Sequence, residues 1–440
     1  MTAQDVGGMN VDSLYTELLS EISKMPVIDT HEHLPIAEGE RDRNTDVLKE
    51  YLTHYMSSDL KSAGLSEAAF ARVIDPTGPL LERWKLVEPY WEASRHTGYG
   101  RALDISVRGI YGIDGVNRQT LPALNEAFLR SLAPGHFHRV LKDLCGIRTS
   151  LLDAWSEGFE CDRAFFRRVW QPQRYVFAEE SAAKCLSAVE RLSGVRIRSL
   201  DDWMEALSCE ASDACAAGVV AMKMWIAYFR PLRFEDVKYA TANAEFGAML
   251  RSWEKGGRRG DAVFQFPPAS QDFMMHQVLR LAAEKHLTIQ FHTGTFEGNG
   301  NTLANGDPVL MTNLFLRHPN VRFDVFHMGY PYYASVSALC KMFPNVFIDM
   351  CWAHIISPAA SRQALSDFLD AVPYTKISAF GGDYGFVDGV YGHLALAREN
   401  VSRVLASKVR ERAFDSERAL RIARALFYEN PVRIFGLNDL

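Results

Sequence analysis

His31 and His33 stand two apart in the run Val27-Ile28-Asp29-Thr30-His31-Glu32-His33-Leu34-Pro35. Alternate side chains of a β-strand share a face. Two imidazoles at that spacing project together, and imidazole is a common ligand for a divalent metal. Pro35 stops the strand and leaves both rings at its C-terminal end. A parallel α/β barrel keeps its chemistry at that end. Three later apolar runs finish on groups of the same kind: Leu287 onward reaches His292, Val321 onward reaches His327, and Ile377 onward reaches Asp383. The run Val219 to Trp225 holds Lys223, and a lysine is rarely buried without a partner. Each residue alone has an ordinary structural reading. A strand-end histidine can be hydrogen-bonded, Asp383 can belong to a turn between Gly382 and Gly385, and Lys223 can snorkel to a rim. The joint pattern, four strands ending in metal-compatible groups, points to one metal site.

The elements that must position these groups are legible as a repeat. Residues 11–24 read as an amphipathic helix with Leu14, Leu18, Leu19 and Ile22 on one stripe. After the first strand, residues 36 to about 140 carry aromatic and charged residues at helical spacing, with Asp75-Pro76-Thr77-Gly78-Pro79 as a turn between helices. Further strands are expected at Ile147–Leu152, Val169–Phe177, Val219–Ala227, Leu287–His292, Val321–His327, Val346–Cys351 and Ile377–Phe380. Helices such as Asp272–His286 and Ser357–Val372 separate most of them, and a last helix is expected from Glu399 to Phe427, ended by Asn430-Pro431. Eight β-then-α units predict a (β/α)8 TIM barrel with a helical insertion after the first strand. The expected division is 1–35 for the first helix and strand, 36–140 for the insertion, and 141–440 for the remaining barrel and C-terminal helices. A doubly wound open sheet is the rival, but no Gly-rich phosphate loop follows an early strand.

The 440 residues are 48% hydrophobic and 23% charged, which supplies a sizeable core. A formal net charge of −6 gives no reason to expect nucleic acid or an anionic membrane as a partner. No stretch approaches the ~18 apolar residues of a membrane span. The first 26 residues carry Asp5, Asp12, Glu17 and Glu21 without an apolar segment, so no secretory leader is expected. Cysteines 145, 161, 185, 209, 215, 340 and 351 form no CxxC pair and are odd in number, which predicts reduced thiols and a cytoplasmic location.

The motif order resembles the amidohydrolase superfamily of metal-dependent enzymes, from Val27 to the end of the chain. Its pattern is HxH after the first strand, often lysine after the fourth, histidines after the fifth and sixth, and aspartate after the eighth. Within it, the chain is most similar to the amidohydrolase-2 branch, which includes uronate isomerase and the amidohydrolase domain fused to glutamine synthetase-like proteins. The stretch Trp91 to Asp114 and the close Asn430-Pro431-Val432-Arg433-Ile434-Phe435-Gly436-Leu437 carry that likeness. The resemblance implies a metal site at His31, His33, Lys223, His292, His327 and Asp383. Two versions follow. In one, His31, His33, His292 and Asp383 bind a single ion and His327 faces the substrate. In the other, a carbamate on Lys223 bridges two ions, His31, His33 and Asp383 holding the first and His292 and His327 the second. A carbamate needs a neutral amine, which an apolar interior favours. Zinc is the expected ion; manganese, iron and cobalt suit the same ligands.

The implied reaction is hydrolysis of an amide, lactam, ester or lactone in a small, carboxylated molecule. Asp383 would be the base, and the ion or His327 would stabilise the oxyanion. Arg230 and Arg148 are candidate partners for a substrate carboxylate. Trp352 and Tyr332 are candidate pocket walls. Trp91, Arg95 and Tyr99, at i, i+4 and i+8, are a candidate lid on one helical face, possible homo-oligomerisation aside. The alternatives are a uronate isomerase-like isomerase or a metal-dependent decarboxylase on the same barrel. A non-catalytic metalloprotein would lack a ligand or the base, and structural zinc would favour cysteine-rich shells; neither matches this residue set.

Overall fold

The computed structural model describes residues 11–177, 182–255 and 266–438. Residues 1–10, whose charge entered the reading above, lie outside these. Eight strands form one sheet: β1 Val27–Glu32, β2 Ile147–Leu152, β3 Phe166–Trp170, β4 Ala221–Met224, β5 Thr288–Phe291, β6 Phe323–Val325, β7 Val346–Asp349 and β8 Ile377–Ser378. They pair in parallel and in sequence order. The chain after β8 returns to β1: Thr30 N–H donates to Phe380 O at 3.1 Å and Asp383 N–H to His31 O at 2.8 Å. These bonds draw the two edges together into a (β/α)8 barrel.

Two elements differ from expectation. The third strand runs Phe166–Trp170, earlier than Val169–Phe177, because Pro172 opens a 3-10 turn that ends it. Its first half carries Arg167 and Arg168, which hid the strand from an apolar-run reading. The C-terminal helix is several helices: Val387–Arg410, Ser416–Arg424 and Asn430–Phe435. Asn430 and Pro431 open the last of these rather than closing one, since proline is tolerated in a first helical turn.

The barrel's N-terminal end is plugged with hydrocarbon. Ile28, Leu151, Val169, Ala221 and Phe347 pack against Ile434, Phe435 and Leu437. Above that plug the interior turns polar. Asp29, Thr30, Ser150, Gln290, Asp324 and Asp349 are all buried. Asp29 accepts the His31 and Gly382 N–H groups and the Ser150 hydroxyl. It thereby ties the ends of β1 and β8 at one atom pair.

Between β1 and β2 lie helices Val47–Thr53, Tyr55–Ser62, Glu67–Val73, Leu80–Ser94, Gly98–Tyr111 and Leu121–Ser131. They dock on the helix Val387–Arg410, where Gly392 permits close approach: a Cβ there would lie 1.9 Å from Ala102 O. Asp388, on the same helix and buried, fixes the contact. Its Oδ2 accepts the Tyr51 and Tyr111 hydroxyls, each at 2.7 Å, and its Oδ1 lies 2.6 Å from His136 Nε2. Burial would raise this carboxyl, but the donors outweigh it and hold it below its ordinary 3.8. A depressed carboxylate adds stability above its unfolded pKa and loses it as pH falls through the folded value. We expect Asp388→Ala to leave three buried donors unmatched and to cost about 3 kcal/mol in urea unfolding at pH 7. The deficit relative to the parent should shrink on acidification.

Candidate metal centre

The expected site residues converge at the C-terminal end of the barrel. His31 is the penultimate residue of β1 and is fully buried; His33 directly follows the strand. Lys223 sits in β4, and His292 follows β5 directly. His327 and Asp383 follow β6 and β8 on left-handed backbone, at φ of 61° and 58°. Non-glycine residues adopt that conformation at a cost of ~1–3 kcal/mol, and only where surrounding bonds enforce it. Here it swings each side chain inward over the strand ends.

Hydrogen bonds fix which nitrogen of each ring faces the centre. His33 Nδ1 lies 2.7 Å from Asp153 O, His292 Nε2 lies 2.8 Å from Thr295 O, and His327 Nδ1 lies 3.0 Å from Cys351 O. A carbonyl only accepts, so each of these nitrogens carries the proton. In a neutral ring the opposite nitrogen keeps its lone pair. These opposite nitrogens face one another and Asp383, which also accepts a hydrogen bond from His33 when that ring is charged. His33 Nε2 is 3.2 Å from Asp383 Oδ1, His31 Nε2 is 3.6 Å from the same oxygen, and His327 Nε2 is 4.0 Å from Oδ2. His327 Nε2 and His292 Nδ1, both acceptors, face each other across 3.0 Å. Two lone pairs at that distance repel unless a cation lies between or beside them.

Charge states agree with ligation. Burial pushes His31 and His292 well below the ordinary imidazole range and His327 down to about 4. Neutral imidazole is the metal-binding form. Burial also acts on Asp383 against ionisation, but the His33 bond and the neighbouring rings hold it well below 3.8. His33 moves the other way, because Asp383 outweighs its desolvation. His31, His33 and Asp383 offer ligand atoms close enough to share one ion. His327, Cys351 and Asp383 form a second such group, in which burial raises the Cys351 thiol well above its ordinary value. The residues therefore fit a divalent ion. Lys223 Nζ lies 3.1 Å from His31 Nε2 and 4.4 Å above the Phe326 ring. A protonated amine there donates to the lone pair that a metal would use.

The centre opens into a cavity of about 500 Å³. His33, Lys223, His292 and Asp383 form its floor. Its walls are aromatic: Tyr55, Trp155, Trp225, Tyr228 and Trp352. Trp155 is 66% exposed and stacks on His33 at 5.4 Å. Trp352, a sequence candidate, stacks on Tyr55 at 4.6 Å.

The other substrate candidates lie elsewhere. Arg230 pairs with Asp272 at 2.8 Å. Arg148 is exposed near the start of β2, at the opposite end of the barrel. Tyr332 precedes the helix Tyr333–Met342 and does not line the cavity. Trp91, Arg95 and Tyr99 do not share a helical face, because one helix ends at Ser94 and the next begins at Gly98. Trp91 is buried near Trp84, Arg95 bonds Asp104 and Glu92, and Tyr99 stacks behind Trp352 and Tyr55.

Sequence reasoning passed over Asp153, whose Oδ2 lies 3.7 Å from His31 Nε2. The signal was present: an acid directly follows the strand Ile147–Leu152, as Asp383 follows the last one. His54, Tyr55 and Glu297 gave none, since they sit on loops and helices with no strand-end position.

A family model described as Amidohydrolase matches residues 136–437. The chain belongs to that amidohydrolase family. The match begins downstream of the two β1 histidines, which the barrel geometry joins to it. Three solved structures share the whole amidohydrolase fold seen here. A glucuronate isomerase from Caulobacter crescentus has a TM-score of 0.77 at 16% identity, covering 100% of this chain and 97% of its own. A uronate isomerase from Thermotoga maritima scores 0.73 at 14%, covering 97% and 99%. A Lactobacillus casei protein provisionally described as a metal-dependent hydrolase scores 0.66 at 16%, covering 96% and 98%. A curated relative, Protein fluG of Emericella nidulans, is 25% identical over 174 residues; the match spans 38% of this chain and 20% of that protein. Among the described residues no cysteine lies in a disulfide, and no helix is long and apolar enough to cross a membrane.

The turn that carries Asp383 has no room for a side chain. A Cβ on Gly382 would lie 1.7 Å from Glu32 Oε1. Gly382→Ala should displace Glu32 from the Tyr384 N–H and Asp383 with it. We expect bound divalent metal, measured by elemental analysis, to fall several-fold while far-UV circular dichroism stays at the parental value.

Proposed function

We propose that this amidohydrolase is a metal-dependent hydrolase that cleaves an acyl C–N or C–O bond of a small molecule. The observation that carries the reading is the set of aimed lone pairs: three imidazoles, each with its outer N–H committed to a backbone carbonyl, around an ionised Asp383. His31, His33 and Asp383 would hold one divalent ion, and His292 with His327 would hold a second. A carbamate on Lys223 would bridge them, which also removes the ammonium that competes for His31 Nε2. Such ions, when bound, supply a Lewis acid and water acidified toward a pKa of ~7.

The chain's own groups then do the proton work. Asp383 Oδ1 faces His33 and His31, whereas Oδ2 is the freer oxygen, 4.0 Å from His327 Nε2. Oδ2 takes a proton from the attacking water and returns it to the departing nitrogen or oxygen. The aromatic walls bind the substrate's planar surface and keep bulk water off the floor.

A second reading, isomerisation of a sugar acid, is favoured by the fold likeness to two uronate isomerases. The cavity chemistry weighs against it. Among the described residues lining the cavity there is no arginine to pair with a carboxylate.

Asp383→Asn should keep the fold and lower kcat by at least about 100-fold. Metal analysis of protein prepared without chelator should find two ions per chain, and intact mass should show one CO2 added. One ion and an unmodified Lys223 would reduce the site to its single-ion form. A panel of N-acyl compounds, esters, lactones, uronates and aromatic acids tests the reaction; turnover of uronates without any hydrolysis would overturn the proposal.

A further inference from the structure

The loop after β5 places a carboxylate, Glu297, in the wall of the cavity. Its backbone N–H donates to the Tyr228 hydroxyl at 3.0 Å, and its backbone carbonyl accepts from Asn301. The carboxylate itself has no hydrogen-bond or ion-pair partner among the described residues. Lys61 is the cation nearest in influence, but its ammonium pairs with Glu67 at 3.0 Å and lies over the Phe70 ring. Burial raises the Glu297 carboxyl, and the charge of Asp383 adds to the effect. Half-buried, the carboxylate keeps an oxygen face toward the open cavity, where a cationic ligand can meet it.

The groups around it suit one kind of ligand. Tyr228 packs beside Trp225 at 6.0 Å, and Trp225 meets Trp155 edge to face at 5.5 Å. Trp352 and Tyr55 stack to form another part of the wall. Aromatic faces carry negative electrostatic potential and attract cations, most strongly where water is excluded. Lys223 is the single lysine or arginine among the described lining residues, and it lies at the floor against His31. The wall therefore offers π faces and one free anion, with no positive charge to repel an ammonium group. The arginines expected to receive a substrate carboxylate are elsewhere, Arg230 on Asp272 and Arg148 at the far end of the barrel.

We propose that the cavity selects a substrate bearing a protonated amine, which pairs with Glu297 inside the aromatic cage while its acyl group reaches the metal floor. The proposal rests on the hydrolytic reading above and narrows its substrate class from any small acyl compound to a cationic one, in place of the carboxylated molecule expected from the sequence. Glu297 is the specificity determinant; it takes no part in the bond cleavage.

Binding and turnover test it separately on the metal-loaded protein. Benzyltrimethylammonium chloride and neutral benzyl alcohol serve as probes, with binding read from quenching of the cavity tryptophans. The cation is expected to bind about tenfold more tightly, and Glu297→Gln to remove that preference, with Glu297→Asp restoring part of it. Equal affinities, or a preference that survives Glu297→Gln, would overturn the proposal. Turnover uses size-matched 4-nitroanilides with an ammonium, neutral or carboxylate end. Glu297→Gln should lower the ammonium-to-neutral ratio of kcat/KM about tenfold, through KM. An equal fall for both would mean that Glu297 serves the fold or the chemistry, and would also overturn it. Hydrolysis with no charge preference sinks the charge assignment alone; a charge preference in binding with no hydrolysis of any substrate sinks the hydrolytic reading alone.

Discussion

The candidate centre depends on a constraint at its periphery: three of its four imidazoles, those of His33, His292 and His327, surrender the outer N–H to a backbone carbonyl. Asp153 O does this for His33, Thr295 O for His292 and Cys351 O for His327. Two of these carbonyls belong to the neighbouring strand's exit, after β2 and after β7. The tautomer of a ring on one strand is thus set by the register of the next. A barrel closed by Thr30 to Phe380 and His31 to Asp383 keeps those exits level. An open sheet with the same residues would leave β1 without its Asp383 partner.

This arrangement is destabilising in isolation. It buries neutral imidazoles with lone pairs turned toward each other, an ionised carboxylate, and left-handed backbone at His327, Trp352 and Asp383. Each left-handed residue costs ~1–3 kcal/mol. The polar layer beneath supplies part of the compensation, because Asp29 and Glu32 accept the N–H groups of His31, Gly382 and Tyr384. The apolar plug of Ile434, Phe435 and Leu437 and the docked helices before β2 supply the rest. Energy gathered at the barrel's lower end and flank holds a strained upper end in place.

The strand-borne part of this design was legible in the chain. A candidate ligand at a strand end is marked by glycine or proline two residues on, as at His33, His292, His327 and Asp383, and His31 by its period-two spacing from His33. The loop-borne part was not. Tyr55, Tyr228 and Glu297 reach the cavity through turns whose direction depends on packing, and no local period marks them. Trp91 and Tyr99 show the converse error. Their i, i+8 spacing suggested one face, but Thr97 caps a new helix between them and sends the two side chains to different environments. Arg230 and Arg148 misled because chemical type alone suggested carboxylate recognition, while the ion pair with Asp272 and the exposed base of β2 decide their roles. Arg167 and Arg168 concealed β3: they point to opposite faces, and each guanidinium is taken up by a backbone carbonyl, Arg163 O and Gly158 O, so the charges do not interrupt the strand.

That division between strands and loops explains why family membership and fold leave the reaction open. Strand ends hold the proton-handling groups in a geometry that hydrolases and isomerases of this architecture can share, so likeness there says little about which bond changes. The walls come from five separate connections, after β1, β2, β4, β5 and β7, none of which the barrel needs for closure. Loops under so little structural obligation are free to diverge, and selection on substrate acts there. The physical content of the walls is therefore a better guide to substrate than the content of the floor. Here, among the described residues, the walls are π faces with a free carboxylate and without a guanidinium. The anion of a sugar acid finds no cationic partner among the described wall residues, whereas a cationic molecule gains from the π faces and the carboxylate at once.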